Sequence, residues 1–190
     1  MIATIEDAII TRLKSAAGLG YTPDVESYGG EFDGDLAQVV RRFPAFWVTY
    51  SGSSRPTPVG TSKDKWLVSL TFVVLAGAYN TRSEADRRKG VSVNGTVIEP
   101  GVYQMLRDSR NLLIRQDLGL AISPLTPGAE RTLFNTGMTD RAIAVFAQEW
   151  HTQYVVSTPA EATVDLLRIG MNYLAEPSGK TLASDQLTTR

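Results

Sequence analysis

The side chains that could perform acid–base or nucleophilic chemistry are few and scattered along this chain. The one histidine, His151, follows Trp150 in a segment that predicts a strand. A catalytic histidine needs an orienting carboxylate and a nucleophile that the fold holds beside it, and no motif supplies them. The Gly-x-Ser-x-Gly motif of many serine hydrolases is absent. We therefore expect His151 to be structural and the protein not to be an enzyme.

Metal and phosphate sites are equally poorly supported by the residue types. The chain has no cysteine, so only carboxylates could hold a metal, and their one local cluster is explained more simply as a helix cap: Glu31, Asp33 and Asp35. Gly179-Lys180-Thr181 resembles the end of a phosphate-binding loop, but Leu174 stands where that loop requires a glycine. We predict no metal, no nucleotide and no other cofactor.

The charge balance argues against a protein that binds nucleic acid over its whole surface. The 190 residues include 19 basic and 20 acidic side chains, for a formal net charge of −1. Of the basic residues, 14 are arginine and 5 are lysine, and arginine is enriched at protein interfaces. The composition therefore favours an assembly protein, in one domain with its own hydrophobic core.

Seven cations in or beside two polar segments are the candidate contacts with partners. Residues 51–64 are rich in Ser, Pro and Gly and contain one strong apolar residue, Val59, which predicts a mobile loop. Residues 82–89 form a charged block that is short enough for one or two helical turns or a loop. The simplest interpretation is a solvated surface turn. The seven interface candidates are Arg55, Lys63, Lys65, Arg82, Arg87, Arg88 and Lys89. Interleaved acids weaken both segments as phosphate-binding patches: Asp64, Glu84 and Asp86.

Apolar spacing and breaker residues predict the helices that must position these segments. An apolar stripe from Ile2 to Ala16 predicts a helix over 3–17. Pro100 and Gly119 bound a second helix over about 101–118, with polar residues on its outer side: Arg107, Asp108, Arg110 and Arg115. A third helix over 36–42 would end at Phe43-Pro44.

Alternating and β-branched residues predict the strands. Segments 24–28, 45–50, 131–134 and 142–156 have strand character, the last two pairing across Gly137. The strand from Trp66 to Val74 directs one set of apolar residues to one side, and its Ser and Thr suggest that the second side is only partly covered. Asn94-Gly95 predicts a tight hairpin turn, and 164–169 is a strand or a short helix.

This order of elements predicts an α+β fold, a mostly antiparallel sheet with helices packed on one face. We expect one domain over 1–175 and a loose polar tail over 176–190. The acidic Glu6 and Asp7 do not fit a secretion signal. The longest near-apolar stretch, 66–78, is too short to cross a membrane as a helix. We therefore expect no membrane contact.

An ordered set of segments resembles the Mu-like phage protein 37 family, whose role is similar to that of tail terminators. The set extends from residue 1 to about 156 and comprises Met1–Ile10, Arg12–Lys14, Tyr28–Gly30, Val39–Tyr50, Arg87-Arg88, Pro100–Leu106 and Leu118–Leu120. The resemblance implies a curved sheet with packed helices, no catalytic residues, and a virion protein that forms a ring, most simply a hexamer.

The resemblance also implies a place and a set of partners. A ring at the head-proximal end of the tail would cap the tail tube, stop its polymerisation and offer a head–tail joining surface. Its partners would be further copies of the chain, the tail tube protein and the head–tail connector protein, with a sheath contact as a further expectation. DNA would pass through the ring without specific binding, and the chain would occupy the host cytoplasm during assembly.

A different class of function remains open from the residues themselves. The arginines could bind phosphates in a DNA-handling completion or connector protein. That alternative predicts DNA affinity that falls steeply with salt, whereas a ring-building protein retains little DNA.

Overall fold

A computed structural model of the chain describes most of the residues. The described ranges are 1–15, 19–30, 42–79, 84–94, 96–136, 143–159, 168–175 and 179–188. The chain divides into two compact units, Met1–Ser157 and Thr158–Arg190. The sequence placed the boundary at residue 175, whereas the first unit ends with a strand at Ser157.

The first unit contains three described helices and eight described strands. In chain order they are α1 (Ile2–Lys14), β1 (Asp24–Ser27), β2 (Ala45–Ser53), β3 (Thr57–Pro58), β4 (Lys65–Tyr79), α2 (Glu84–Lys89), β5 (Gly90–Val93), β6 (Thr96–Pro100), α3 (Val102–Leu113), β7 (Thr126–Thr136) and β8 (Ile143–Ser157). Residues 36–41 of the predicted helix over 36–42 and the cluster Glu31, Asp33 and Asp35 lie outside the described residues, and Arg42 lies in a turn.

Six of these strands form one mixed sheet. Its order is β1-β2-β4-β8-β7, and β3 pairs with β4 beyond the end of β2. All neighbours are antiparallel except β1 and β2, which are parallel. Strands β4 and β8 pair without a bulge from Lys65 opposite Ser157 to Tyr79 opposite Ile143. The predicted α+β class, mostly antiparallel with a curved sheet, is confirmed.

The main core lies between the sheet and the helices α1 and α3. Alternation along β4 directs Leu70, Phe72 and Val74 to this side, as the sequence predicted, and all three are buried. The helices contribute one apolar stripe each, which is why their spacing was readable from the sequence. The helical members of this core are Ile5, Ile9, Leu13, Val102, Met105, Leu106 and Leu113.

A second apolar cluster covers part of the opposite, outer face of the sheet. Its buried members come from β2, β4 and β8 and are Ala45, Trp47, Leu75, Ile143, Val145 and Ala147. Phe43 packs edge-to-face on Trp47, with ring centroids 5.7 Å apart. A Cβ atom at Gly77 would lie 2.1 Å from Cε1 of that Phe43 ring, so the strand needs glycine there. Residues farther along β4, such as Ser69 and Thr71, are only half-buried, as predicted.

The predicted and observed bounds differ at the end of α3 and in segment 51–64. Helix α3 ends at Leu113 and not at residue 118, because the chain turns through positive φ at Arg115 (59°) and Leu118 (58°). Segment 51–64 is not one loop of 14 residues, because β2 continues to Ser53 and β3 pairs with β4. The Asn94 turn between β5 and β6 is confirmed, with φ of 51° at Asn94.

The second unit is a two-stranded antiparallel hairpin. Strand β9 (Arg168–Ala175) pairs with β10 (Lys180–Thr188), with Gly179 in the turn at φ of 63°. Strand β10 lies within residues 176–190, for which the sequence predicts a loose polar tail. Polar strands with few apolar residues resemble coil in sequence. Their backbone hydrogen bonds define the strand, and the side chains give no alternating pattern from which to predict it.

Candidate assembly surfaces

Three of the seven predicted cations lie at one end of the sheet. Arg55 lies between β2 and β3, Lys63 lies in the turn between β3 and β4, and Lys65 begins β4. All three side chains are exposed. The Val59 amide donates a hydrogen bond of 2.8 Å to the Lys65 carbonyl, which closes the turn and brings these residues together.

Exposed valines accompany these cations. Val59 is 43% exposed and Val155 is 49% exposed. The register of β4 on β8 brings Val155 to this end, since Leu67 lies opposite it. We call this surface, made of Arg55, Val59, Lys63, Lys65 and Val155, the basic tip. Apolar residues rimmed by cations form a surface suited to a protein partner.

One acid lies within the basic tip. Ser62 donates a hydrogen bond to the exposed carboxylate of Asp64. That hydrogen bond, together with backbone amides, lowers the pKa of Asp64 below its usual value. The carboxylate therefore stays ionised at neutral pH and offsets part of the charge of the neighbouring lysines, as the interleaved sequence suggested.

Three of the remaining predicted cations, Arg87, Arg88 and Lys89, belong to α2, which follows β4 in the chain. Arg82 lies outside the described residues, and the structure describes the backbone of Arg87 in α2 but not its side chain. Arg88 is half-buried and not fully solvated, whereas Lys89 is exposed. A strand of 15 residues spans about 45 Å. The two predicted cation groups therefore do not form a single basic patch.

A shallow depression adjoins the exposed Lys89. Its volume is about 420 Å³, and it is lined by Lys89, Ser92, Val97, Tyr103, Gln104 and Arg107. Tyr103 is 44% exposed and packs edge-to-face on Phe146, with centroids 5.7 Å apart. We call this surface the α3 depression. The sequence placed Arg107 on the outer side of the helix, but nothing in the sequence linked it to Lys89, because β5 and β6 separate them.

A buried polar network fixes α3 to the sheet. The Gln148 side-chain oxygen accepts hydrogen bonds from Ser109 Oγ at 2.7 Å and from Trp150 Nε1 at 3.1 Å. The Gln148 amide nitrogen donates to Glu130 Oε1 at 2.6 Å, and Arg110 forms an ion pair with Glu130. Gln148 and Ser109 are fully buried. Sequence reasoning missed this network, because a lone Gln in a strand carries no signal of its partners.

Asp108 departs from its predicted place on the outer side of α3. It is only 7% exposed and accepts a hydrogen bond of 3.2 Å from the Tyr21 hydroxyl. Burial and the adjacent carboxylate raise the pKa of Tyr21 above its usual value. The pair ties the segment after α1 to α3.

The outer face of the sheet carries cross-strand polar pairs beside its apolar cluster. Thr71 Oγ1 lies 3.1 Å from Nδ1 of His151, and Gln153 donates to Ser69 Oγ at 3.0 Å. Arg131 and Glu149 form an ion pair at 3.2 Å. His151 is exposed and has a hydroxyl neighbour on the adjacent strand. These pairs link neighbouring strands and give the sheet face a polar surface.

The described residues offer neither a metal-binding cluster nor a membrane-spanning helix. Within the part of the chain that the structure describes, no group of three or more His, Cys, Asp or Glu residues is placed to hold a metal ion. Among those same residues, none of the helices has the length and apolar character needed to span a bilayer. The candidate surfaces are therefore the basic tip, the α3 depression and the outer sheet face.

Comparison with known families decides which class of protein presents these surfaces. The model of the family described as "Bacteriophage Mu, Gp37" matches residues 1–155. The chain belongs to the bacteriophage Mu Gp37 family. A search of the curated proteins returned no match. The Gp37 family is a family of phage structural proteins, which are typically non-enzymatic.

Membership in the Gp37 family makes the chain a structural component of a phage virion. The Gp37 match ends two residues before the first compact unit ends at Ser157. The sheet, its helices and both cation groups thus belong to the part shared with the family. The hairpin of β9 and β10 follows that part.

Proposed function

We propose that this chain is a tail terminator, a ring-forming protein that caps the head-proximal end of the phage tail tube. The observation that carries the proposal is the Gp37 match over residues 1–155 of the first unit. A terminator stops tube growth because it offers the tube one matching surface and presents a different surface at its other end. The same ring provides the surface on which the head connector docks.

Two chemically different surfaces at opposite ends of the long β4–β8 pair support this proposal. The basic tip combines lysines with exposed valines, whereas the α3 depression combines Lys89 and Arg107 with a tyrosine. A ring subunit needs one kind of interface for lateral closure and another for the tube. We assign the basic tip to ring closure and the α3 depression to the tube.

Electron microscopy of the full-length protein with assembled tail tubes tests this function. The expected result is a ring on one end of each tube, with sixfold symmetry in the averaged images and sixfold mass by native mass spectrometry. Phage made without the protein should have tails of abnormal length and heads that fail to join. Tails of normal length and normal head joining would overturn the proposal.

The affinity for DNA distinguishes a tail terminator from the alternative, a DNA-handling protein that binds phosphates. A ring that DNA merely traverses should bind duplex DNA weakly, since the formal charge of each copy is −1. Tight binding that falls by orders of magnitude between about 50 and 200 mM salt would favour a DNA-handling protein instead. A monomer in the absence of tubes agrees with either function, so the measurement with tubes decides.

A further inference from the structure

Carboxylates outnumber cations along β1, the short strand at one side of the sheet. Asp24 and Glu26 alternate along β1 and therefore share its outer side. On the helix side, Ser27 donates a hydrogen bond to Glu6 of α1. Among the described residues, Arg42 is the cation paired with this group, through ion pairs with both Asp24 and Glu26. We call Glu6, Asp24, Glu26 and Arg42 the β1 margin; three carboxylates against one guanidinium leave it a net charge of −2.

The surplus carboxylates of the β1 margin remain accessible. The side chains of Asp24 and Glu26 are 39% and 48% exposed with Arg42 already bound to them. The residues one turn from Glu6 on α1 carry no charge, namely Ile2, Ala3, Ile9 and Ile10. An external cation can therefore approach these carboxylates.

The other carboxylates of the six-stranded sheet lack this surplus. Within its described residues, Glu130 pairs with Arg110 and Glu149 pairs with Arg131. Each of these acids thus has an arginine of its own, whereas the acids of the β1 margin share one. The β1 margin is therefore where the sheet carries excess negative charge.

The basic tip carries the opposite excess. Its cations Arg55, Lys63 and Lys65 are all exposed, and Asp64 is the acid among them, so the net charge is +2. The two surfaces therefore have charges of equal size and opposite sign, as complementary halves of one contact do.

The two surfaces of one chain lie too far apart to meet. Val25 of β1 lies opposite Phe46, which in turn lies opposite Ala76 of β4. Lys65 lies eleven residues along β4 from Ala76, which corresponds to about 35 Å. That separation far exceeds the roughly 8 Å over which exposed charges interact at physiological salt. Only another copy can bring a β1 margin to the basic tip.

We propose that the basic tip of each copy docks on the β1 margin of the next copy. The proposal rests on the ring proposed above and names both sides of its lateral contact. Two different patches on one subunit form a heterologous contact, which a suitable rotation closes into a ring. The opposite charges fix which patches meet and in which orientation. The partner of the basic tip is thus a second copy of this chain.

Charge reversal followed by mixing tests this contact. The tip variant combines Arg55→Glu with Lys65→Glu, and the margin variant combines Glu6→Lys with Glu26→Lys, both in the full-length chain. The tip variant is then acidic on both surfaces and the margin variant is basic on both, so neither should form rings on tail tubes when it is alone. An equimolar mixture should recover rings, because each tip now meets a margin of opposite charge.

The composition of the recovered rings is the second readout. With a size tag on one variant, native mass spectrometry should find the two variants in equal numbers, since they must alternate. Rings from either variant alone would overturn the docking proposal. A mixture of folded variants that forms no rings, under conditions where the natural chain does, would also overturn it and leave the terminator function standing. A natural chain that forms no rings on tubes would contradict the terminator function and the docking proposal together.

A double-mutant cycle with neutral substitutions tests the same contact with less disturbance of the fold. Lys65→Gln and Glu26→Gln should each raise the concentration for half-maximal ring assembly about fivefold. The two together should raise it little further, because either change alone already breaks the pairing. Lys14→Gln, at an exposed cation of α1, is the control and should change it by less than about twofold, alone or with Glu26→Gln. Effects of Lys65→Gln and Glu26→Gln that simply multiply would overturn the proposal.

Discussion

Gln148 shows how a single polar residue orders the core. Its side-chain oxygen accepts hydrogen bonds from Ser109 and Trp150, and its side-chain nitrogen donates one to Glu130. A buried amide with satisfied partners stabilises little by itself, but its removal takes the hydrogen-bond acceptor from the buried Trp150 Nε1. The residue therefore sets the position of α3 on β8.

Gln148→Leu keeps nearly the same side-chain volume and removes the hydrogen bonds. We expect the free energy of unfolding to fall by about 2 kcal/mol, because the buried Trp150 Nε1 loses its hydrogen-bond acceptor. Urea unfolding followed by circular dichroism measures the change. Gln153→Leu, on the half-buried outer face, is the matched control and should cost less than about 1 kcal/mol. Equal losses for the two variants would contradict the assigned role.

Tyr21 links stability to alkaline pH. Burial and the Asp108 carboxylate raise its pKa in the folded protein, whereas in the unfolded chain it titrates near pH 10. The contribution of Tyr21 to the free energy of unfolding is therefore complete below about pH 10, and it declines as the pH rises toward the pKa of Tyr21 in the folded protein. The stability of the natural chain should fall between pH 10 and pH 12 more steeply than that of Tyr21→Phe, as measured by urea unfolding at each pH. Parallel curves would refute this linkage.

At the scale of elements, the turn between β3 and β4 depends on an unusual backbone conformation. Lys63 has φ of 55°, a region in which β-branched side chains are strained. Lys63→Val should lower the free energy of unfolding by about 1–2 kcal/mol, whereas Lys63→Gly should leave it unchanged or raise it. Thermal unfolding of both variants tests this, with Lys65→Val in the extended strand as the control. A larger loss at Lys65 would show that the turn geometry is unimportant.

The elements that the sequence predicted are those whose side chains alternate or recur with a clear period. The β4 pattern from Trp66 to Val74 and the α1 stripe both correspond to buried faces. The end of α3 was misplaced because Leu118 continues an apolar spacing after the helix has ended at Leu113. Strands β3 and β10 were missed because their order comes from backbone pairing, which leaves no apolar pattern to detect.

The candidate surfaces were only partly predictable, for a related reason. The sequence identified Arg55, Lys63 and Lys65 as exposed cations, and the structure places them together. It could not foresee that Val155 joins them, since that depends on the register of β8 against β4. Nor could it pair Lys89 with Arg107, because the depression forms where α2, β5, β6 and α3 meet.

At the scale of the whole molecule, the separation of the two surfaces matters more than the total charge. The formal net charge is only −1, yet a cationic surface lies at each end of the β4–β8 pair. The two ends differ in their apolar residues, which are Val59 and Val155 in the basic tip and Tyr103 in the α3 depression. Each end can therefore meet a different partner. Changes at one end should leave contacts at the other end intact.

Lys89→Gln combined with Arg107→Gln tests the tube-facing assignment. We expect tube binding to weaken at least tenfold while ring closure is retained, since only the α3 depression loses its cations. Tube co-sedimentation and native mass spectrometry measure the two properties separately. Lys14→Gln, an exposed cation at the end of α1, is the control and should leave both unchanged. Loss of ring closure with tube binding retained would reverse the assignment.

The uninterrupted pairing of β4 and β8 over 15 aligned residues restricts how this family can vary in length. Deleting or inserting one residue in either strand would rotate every following side chain to the opposite face. Trp150 would then exchange sides with its charged neighbour Glu149. Insertions and deletions among homologues should therefore occur in the connecting segments and not in these two strands. An alignment of homologues should show no gaps across β4 and β8.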